Sequence, residues 1–191
     1  MATYFTADLH LGHARIIDYC DRPFRSVEQM DAQLISNWNA TVGSGDDVWV
    51  VGDFCWGAGA EVYLARLNGR KHLIWGNHDP ETTTAASGWT SSQPYAEITL
   101  DKQKIVLFHY GLRVWNRSAR GVLHFYGHSH GNLVGDSQSC DVGVDCFDYR
   151  PVDLPAIRRR LRQMPDRGGE PDHHRPAPLL KSERDIVPLA P

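Results

Sequence analysis

Seven short apolar runs recur along the chain, each closed by a polar or glycine-containing turn: Tyr4–Ala7, Val48–Val51, His72–Trp75, Ile98–Leu100, Ile105–Phe108, Val122–Tyr126 and Val142–Val144. Their β-branched and aromatic content predicts buried strands. Helical patterns lie between some of them. Ser26-Val27-Glu28-Gln29 has the spacing of a capping box and opens a stretch to about Asn39 in which Met30, Leu34, Ile35 and Trp38 share one face. Glu61 to Leu67, stopped by Asn68-Gly69, predicts a second helix, and Pro155 to Arg162 a third. Strands separated by helices in the first half, then strands joined by shorter connections, predict an α/β sandwich with a mixed rather than purely parallel sheet.

Composition bounds this picture. A chain of 191 residues, 41% hydrophobic and 23% charged, supports one domain with a full core. That domain is expected over residues 1–163. Six prolines then punctuate a polar stretch (Pro165, Pro171, Pro176, Pro178, Pro188 and Pro191), so residues 164–191 are read as a flexible tail or lightly docked arm. His173-His174 within it reads as a solvated pair. No stretch approaches the roughly 20 apolar residues of a membrane span, and no signal-peptide pattern opens the chain, so a cytoplasmic protein without a membrane partner is expected. Four cysteines without a CxxC pair read as reduced thiols. A formal charge of -3 argues against a long nucleic acid as partner.

The residues just after the apolar runs carry the chemistry. The first run leads to Asp8-Leu9-His10, whose alternation sets two ligand-type side chains on one side of an extended segment. The next lead to Gly52-Asp53, to Gly76-Asn77-His78-Asp79, to His109, and to Gly127-His128-Ser129-His130. A lone histidine inside an apolar run, such as His72 or His124, is read as a satisfied core residue. Five ligand-bearing strand ends together are a different matter, because loops beyond the carboxyl ends of strands converge in α/β sheets. Carboxylates, imidazoles and one amide oxygen suit Mn²⁺ first, then Fe, Zn²⁺ or Ni²⁺. There are more ligands than one ion needs, so two ions about 3.5–4 Å apart are expected. The glycines at positions 52, 76 and 127 would shape the turns.

These five blocks, in this order, resemble the pattern D-x-H, G-D, G-N-H-[DE], H, G-H-x-H of the calcineurin-like metallophosphoesterases. The resemblance covers roughly residues 1–155 and is similar to the small uncapped bacterial and phage-type members, through "FTADLHLGHARIIDYCDRPF" and "VGVDCFDYRPV". It implies a four-layer α/β/β/α sandwich with two mixed β-sheets. It also implies a first metal held by Asp8, His10, Asp53 and His130, and a second held by Asp53, Asn77, His109 and His128. A water between two such ions has its pKa lowered toward neutrality and supplies hydroxide for in-line attack on phosphorus. His78 matches the family's non-ligand histidine, which stabilises the transition state or protonates the leaving group, and Asp79 is expected either to orient that imidazole or to cap its loop.

The implied activity is that of a dinuclear phosphoesterase. A phosphodiesterase on small or nucleotide-like esters is favoured; the alternatives are a nuclease, a phosphomonoesterase, or a metal-binding scaffold without turnover. Candidate substrate contacts are His13, Arg15, Arg22 and Arg25 near the first turn, since guanidinium matches phosphate geometry. Trp56 and Tyr110, with Arg113 and Trp115, follow other strand ends and are candidates for stacking a base. The cluster Arg158-Arg159-Arg160 with Arg162 is read as a solvated helix face.

Overall fold

The structure, a computed structural model, describes residues 1–57 and 59–168. Five strands form one sheet in the order β4 (Trp89–Gln93), β3 (Arg70–Ile74), β2 (Asp47–Val51), β1 (Thr3–Thr6), β9 (Val152–Asp153). The first four are mutually parallel and β9 is antiparallel to β1. Four strands form the other, in the order β5 (Ala96–Leu100), β6 (Gln103–Leu107), β7 (Leu123–Tyr126), β8 (Ser139–Asp141). Here β5–β6 is an antiparallel hairpin and the remaining pairs are parallel. Both sheets are mixed, as expected.

The near-continuous apolar runs arise because most strands are buried on both faces. Val48, Val50 and Leu73 face an outer core completed by Met30, Leu34 and Trp38 of helix α2 (Val27–Thr41) and by Leu64 of α3 (Ala60–Leu64). Their strand neighbours Phe5, Val51 and Ile74 face the inner core, where they meet Ile105, Leu107 and Phe125 of the second sheet. The layer outside the second sheet is thin, made by the segment 112–122 whose Trp115 and Val122 cover Val106. Helix α5 (Leu154–Leu161) closes an edge of the inner core, N-capped by the Asp153 carboxylate, which accepts from Ala156 N–H at 2.8 Å. Ser26 caps α2 in the same way, accepting from Gln29 N–H, and the helix continues two residues past the expected Asn39.

Several expectations are corrected. The strand expected at Val142–Val144 lies instead at Ser139–Asp141, with Val142–Val144 leading out of it into a 3-10 turn, because Cys140 supplies the buried position. Edge strand β4 and the two-residue β9 carry too little apolar pattern to be read from sequence. Two four-residue helices (Ile16–Tyr19 and Glu81–Thr84) were likewise not anticipated. Of the segment read as a flexible tail or lightly docked arm, the described residues are docked: Ser137 N–H donates to the Pro165 carbonyl, and Arg167 pairs with Asp136 at 2.8 Å and lies 3.8 Å over the Trp115 ring. His173 and His174 lie outside the described residues. Among the described residues no helix is long and apolar enough to cross a membrane.

Candidate metal centre

Parallel strands β1, β2 and β3 of one sheet and β6, β7 and β8 of the other end on the same side of the sandwich. The five motif blocks sit at those ends, so two sheets deliver them to one place. Asp8, His10, Asp53, His128 and His130 all adopt positive φ, from 46° to 67°. For residues with a side chain this conformation costs on the order of 1–3 kcal/mol each, and its concentration here marks turns selected for where they point side chains. Two glycines show the same constraint. Gly52 has φ of 91° and a Cβ there would collide with the His109 ring; a Cβ on Gly76 would collide with Asp53.

Two clusters of donors result. Ligand atoms of Asp8, His10 and His130 lie within 4.8 Å of one another, and so do those of Asp53, His109 and His128. Asp53 stands between the clusters: its Oδ2 is 3.5 Å from His10 Nε2 and 3.5 Å from His109 Nε2. Its other oxygen, Oδ1, is occupied by the backbone N–H of His78 at 2.9 Å. Asp8 is anchored similarly, accepting from His128 N–H with both oxygens at 3.0 and 2.9 Å.

The donor atoms fit a cation. His10 is buried, and its Nε2 is within ion-pair reach of Asp53 yet makes no hydrogen bond. Burial pushes the His10 pKa down to about 3, so the ring is neutral and one of its nitrogens keeps a lone pair able to coordinate. His109 Nδ1 lies 2.8 Å from the Val51 carbonyl oxygen, which only accepts, so Nδ1 carries the proton. Its Nε2 lies 3.0 Å from Asn77 Oδ1. Nε2, Asn77 Oδ1 and Asp53 Oδ2 thus converge, an arrangement held by positive charge, either a proton or a metal. Burial opposes protonation of His109, but the Asp53 carboxylate outweighs it and raises the pKa; burial likewise pushes the Asp53 carboxyl up, but His109 outweighs it and holds the pKa low. Burial pushes Asp8 up to about 7, a cost that a bound cation would remove.

A third grouping, Cys20 with His130 and Asp145, is not a ligand set of this kind. Both Asp145 oxygens are taken by Arg22, and Oδ2 also by His130 Nδ1 at 2.8 Å. The Cys20 thiol is pushed by burial up to about 11, far from a thiolate.

The remaining expected site residues divide. His78 is half-buried, its ring 5.4 Å from that of His10 and 5.4 Å from Trp56. His13 stacks on Trp56 with centroids 4.2 Å apart and planes 10° apart. Tyr110 lies edge-on to His128 at 4.7 Å. Asp79 does not orient the His78 imidazole. Its carboxylate accepts from the backbone N–H groups of Asp53, Phe54 and Gly76 at 2.8–2.9 Å, which makes it the clamp of the ligand loop. Arg22 does not face a substrate, because its guanidinium is fully buried and turned inward. Arg25 is exposed in the loop before α2 and does not line the cavity at the metal centre. Trp115 and His124 are buried in the core, and Arg113 lends its carbonyl to Arg167. Asp145 and Asp141 were not anticipated; Asp141 accepts from Gly131 and Gly143 N–H and so braces the turn that follows His130. Neither lies at the end of a strand that could be recognised from its apolar pattern.

The family profile of the calcineurin-like phosphoesterases matches residues 1–157. The chain is 32% identical over 176 residues to an uncharacterised protein of Methanocaldococcus jannaschii, a match covering 84% of this chain and 91% of that one. It is 40% identical over 82 residues to the gene 66 protein of Mycobacterium phage L5, covering 40% of this chain and 39% of the phage protein. Among solved structures, a protein of unknown function from Aquifex aeolicus superposes with a TM-score of 0.66 at 21% identity, covering 83% of this chain and 98% of that one, a likeness of fold alone. The matched span contains all five motif blocks and both sheets, and the chain belongs to the calcineurin-like phosphoesterase family.

Proposed function

We propose that this phosphoesterase is a two-ion phosphodiesterase acting on small, nucleotide-like esters. The observation that carries the reading is the placement of Asp53 Oδ2, 3.5 Å from a histidine nitrogen of each donor cluster. Asp8, His10, Asp53 and His130 would hold one ion, and Asp53, Asn77, His109 and His128 the other. Mn²⁺ suits this hard-to-borderline set, with Fe, Zn²⁺ and Ni²⁺ as alternatives. When bound, such ions supply a hydroxide nucleophile at neutral pH and positive charge for the phosphoryl oxygens.

The chain's own side chains account for the rest. The His78 imidazole has no hydrogen-bond partner among the described residues and lines the cavity beside His10. In this reading it donates a proton to the leaving oxygen. That cavity has a volume of about 430 Å³ and runs from His130 and His10 past Trp56 to Tyr19 and Arg15. Its size lies in the roughly 300–1,000 Å³ range of small-ligand sites and suits one ester substituent better than a duplex. Trp56, half-exposed and backed by His13, offers a ring edge and face to a base, and Arg15, whose guanidinium lies over Tyr19 at 5.1 Å, has no carboxylate partner among the described residues.

Assays with Mn²⁺ test the reading. Hydrolysis of bis-(p-nitrophenyl) phosphate with little hydrolysis of the monoester is the expected result. Preferential monoester hydrolysis, or efficient cleavage of DNA, would replace it by a phosphomonoesterase or a nuclease. Loss of all turnover in wild type, indistinguishable from Asp53→Asn, would leave a metal-binding scaffold.

A further inference from the structure

Arg22 lies outside the five ligand blocks, yet its guanidinium is the most completely bonded polar group next to the metal centre. Nε and Nη2 donate to the two oxygens of Asp145, each at 2.8 Å, in a bidentate fork. Nη2 also donates to the Asp8 carbonyl at 2.7 Å, and Nη1 to the Leu9 carbonyl at 3.1 Å and toward Met30 Sδ at 3.4 Å. All five N–H groups of a guanidinium are thereby used. The side chain is fully buried, and the two partners are 123 residues apart in sequence.

Asp145 passes this arrangement to a ligand. Its Oδ2 lies 2.8 Å from His130 Nδ1. A carboxylate only accepts, so Nδ1 carries the proton and Nε2 keeps its lone pair. Through one guanidinium two ligands of the same cluster are fixed: His130 by its ring, and Asp8 by the carbonyl of its strained backbone. The second cluster has no counterpart, since His109 is held by a backbone carbonyl and the exposed His128 ring has no hydrogen-bond partner among the described residues.

We propose that Asp145, clasped by Arg22, is a positioning residue for His130 and sets the affinity of one metal site and not the other. The proposal rests on the two-ion reading above. An attached carboxylate fixes the ring orientation and raises the basicity of a metal-bound imidazole, and losing such a partner costs about 10–100-fold in metal affinity. A charged surface arginine could not do this; a desolvated fork with no spare donor can.

Calorimetric titration of the metal-free full chain with Mn²⁺ tests it. Wild type should show two binding events per chain; a single event would remove the two-ion reading and this proposal with it. Asp145→Ala should weaken one event about 10–100-fold and leave the other at its wild-type affinity. Asp145→Asn, whose amide oxygen can still accept the Nδ1 proton, should lose less. Equal weakening of both events, or none, overturns the proposal while leaving two-ion binding intact. If Asp145→Ala fails to fold, nitrogen-15 NMR of the isosteric Asp145→Asn protein at alkaline pH reads the His130 tautomer directly. The Nδ1–H tautomer should be kept by the accepting amide oxygen while one binding event is modestly weakened; an unchanged isotherm, or equal weakening of both events, overturns the assignment.

Discussion

The two ends of the sandwich use the same residue types for opposite ends. At the amino end of the first sheet, Asp47 accepts a bidentate pair from Arg70 at 2.8 and 2.7 Å, and His72 reaches both Asp47 at 3.2 Å and Ser91 at 2.8 Å. His72 also stacks on Trp49, with centroids 4.5 Å apart. At the carboxyl end, His13 stacks on Trp56, and Asp8, Asp53 and five further histidines gather nearby. Each end has a cavity of similar size, about 400 and 430 Å³. What separates them is satisfaction. Asp47, Trp49, Arg70 and His72 have ordinary backbone conformations and paired charges, whereas the carboxyl end holds five candidate ligands at positive φ and an unbonded buried His10 Nε2. A histidine, aspartate, arginine and tryptophan in contact are therefore no evidence of function by themselves. Strain and unmet polar atoms, gathered at strand ends, are.

The comparison breaks first at Asp53. Asparagine tolerates the φ of 56° that Asp53 adopts, so Asp53→Asn should fold. It removes the carboxylate charge that stands between the two clusters, and we expect the Mn²⁺-dependent hydrolysis of a diester to fall by about 10³-fold or more. Activity within tenfold of wild type would show that the shared carboxylate is not needed. His78→Ala should act without touching the ligands, because the bond from residue 78 to Asp53 is made by the backbone. A fall in kcat of about 10²–10⁴-fold, with unchanged metal content by elemental analysis, is the expected outcome. Parallel loss of metal would instead make His78 a ligand.

Trp56→Ala sharpens the contrast between the two stacked histidine–tryptophan pairs. With Trp56 half-exposed at the cavity, we expect KM for a nucleoside diester to rise about 5–10-fold, the lower part of the range for a base-stacking contact. Methyl esters, with no ring to stack, should keep their KM. An equal rise for both substrates would place Trp56 among the residues that shape the cavity by packing alone.

How much of this was legible in the sequence follows from where each interaction partner lies. Asp8, His10, Asp53, Asn77, His109, His128 and His130 follow apolar runs directly, so a reading of strand ends reaches them. Glycines at 52 and 76 announce the tight approach behind them. Edge strand β4 has one large apolar residue, Trp89, in a polar segment, and only pairing with β3 makes it a strand. Arg22 reads as a loop cation until tertiary contact brings Asp145 to it across 123 residues. Asp79 illustrates the same limit on a smaller scale. Its position beside His78 suggests a partner for the imidazole, but three nearby backbone N–H groups claim it.

The smallest effect belongs to the amino end. Asp47→Asn should leave Mn²⁺ binding and turnover unchanged, and cost about 1 kcal/mol or less in stability, since Arg70 is substantially exposed and such pairs are screened. Its pH dependence follows from the carboxylate pKa, which the Arg70 hydrogen bonds hold below the ordinary range. A depressed pKa means that the native state binds the proton less readily than the unfolded chain. The contribution is therefore complete at neutral pH, begins to fade as pH falls toward about 3.9, and vanishes only below the native value. Denaturant melts of the metal-free proteins at pH 7 and pH 3 should show the difference between wild type and Asp47→Asn shrinking at the lower pH. A difference that persists there would mean that Asp47 stabilises this end by packing rather than by charge, and the two ends would then differ in kind of interaction as well as in its satisfaction.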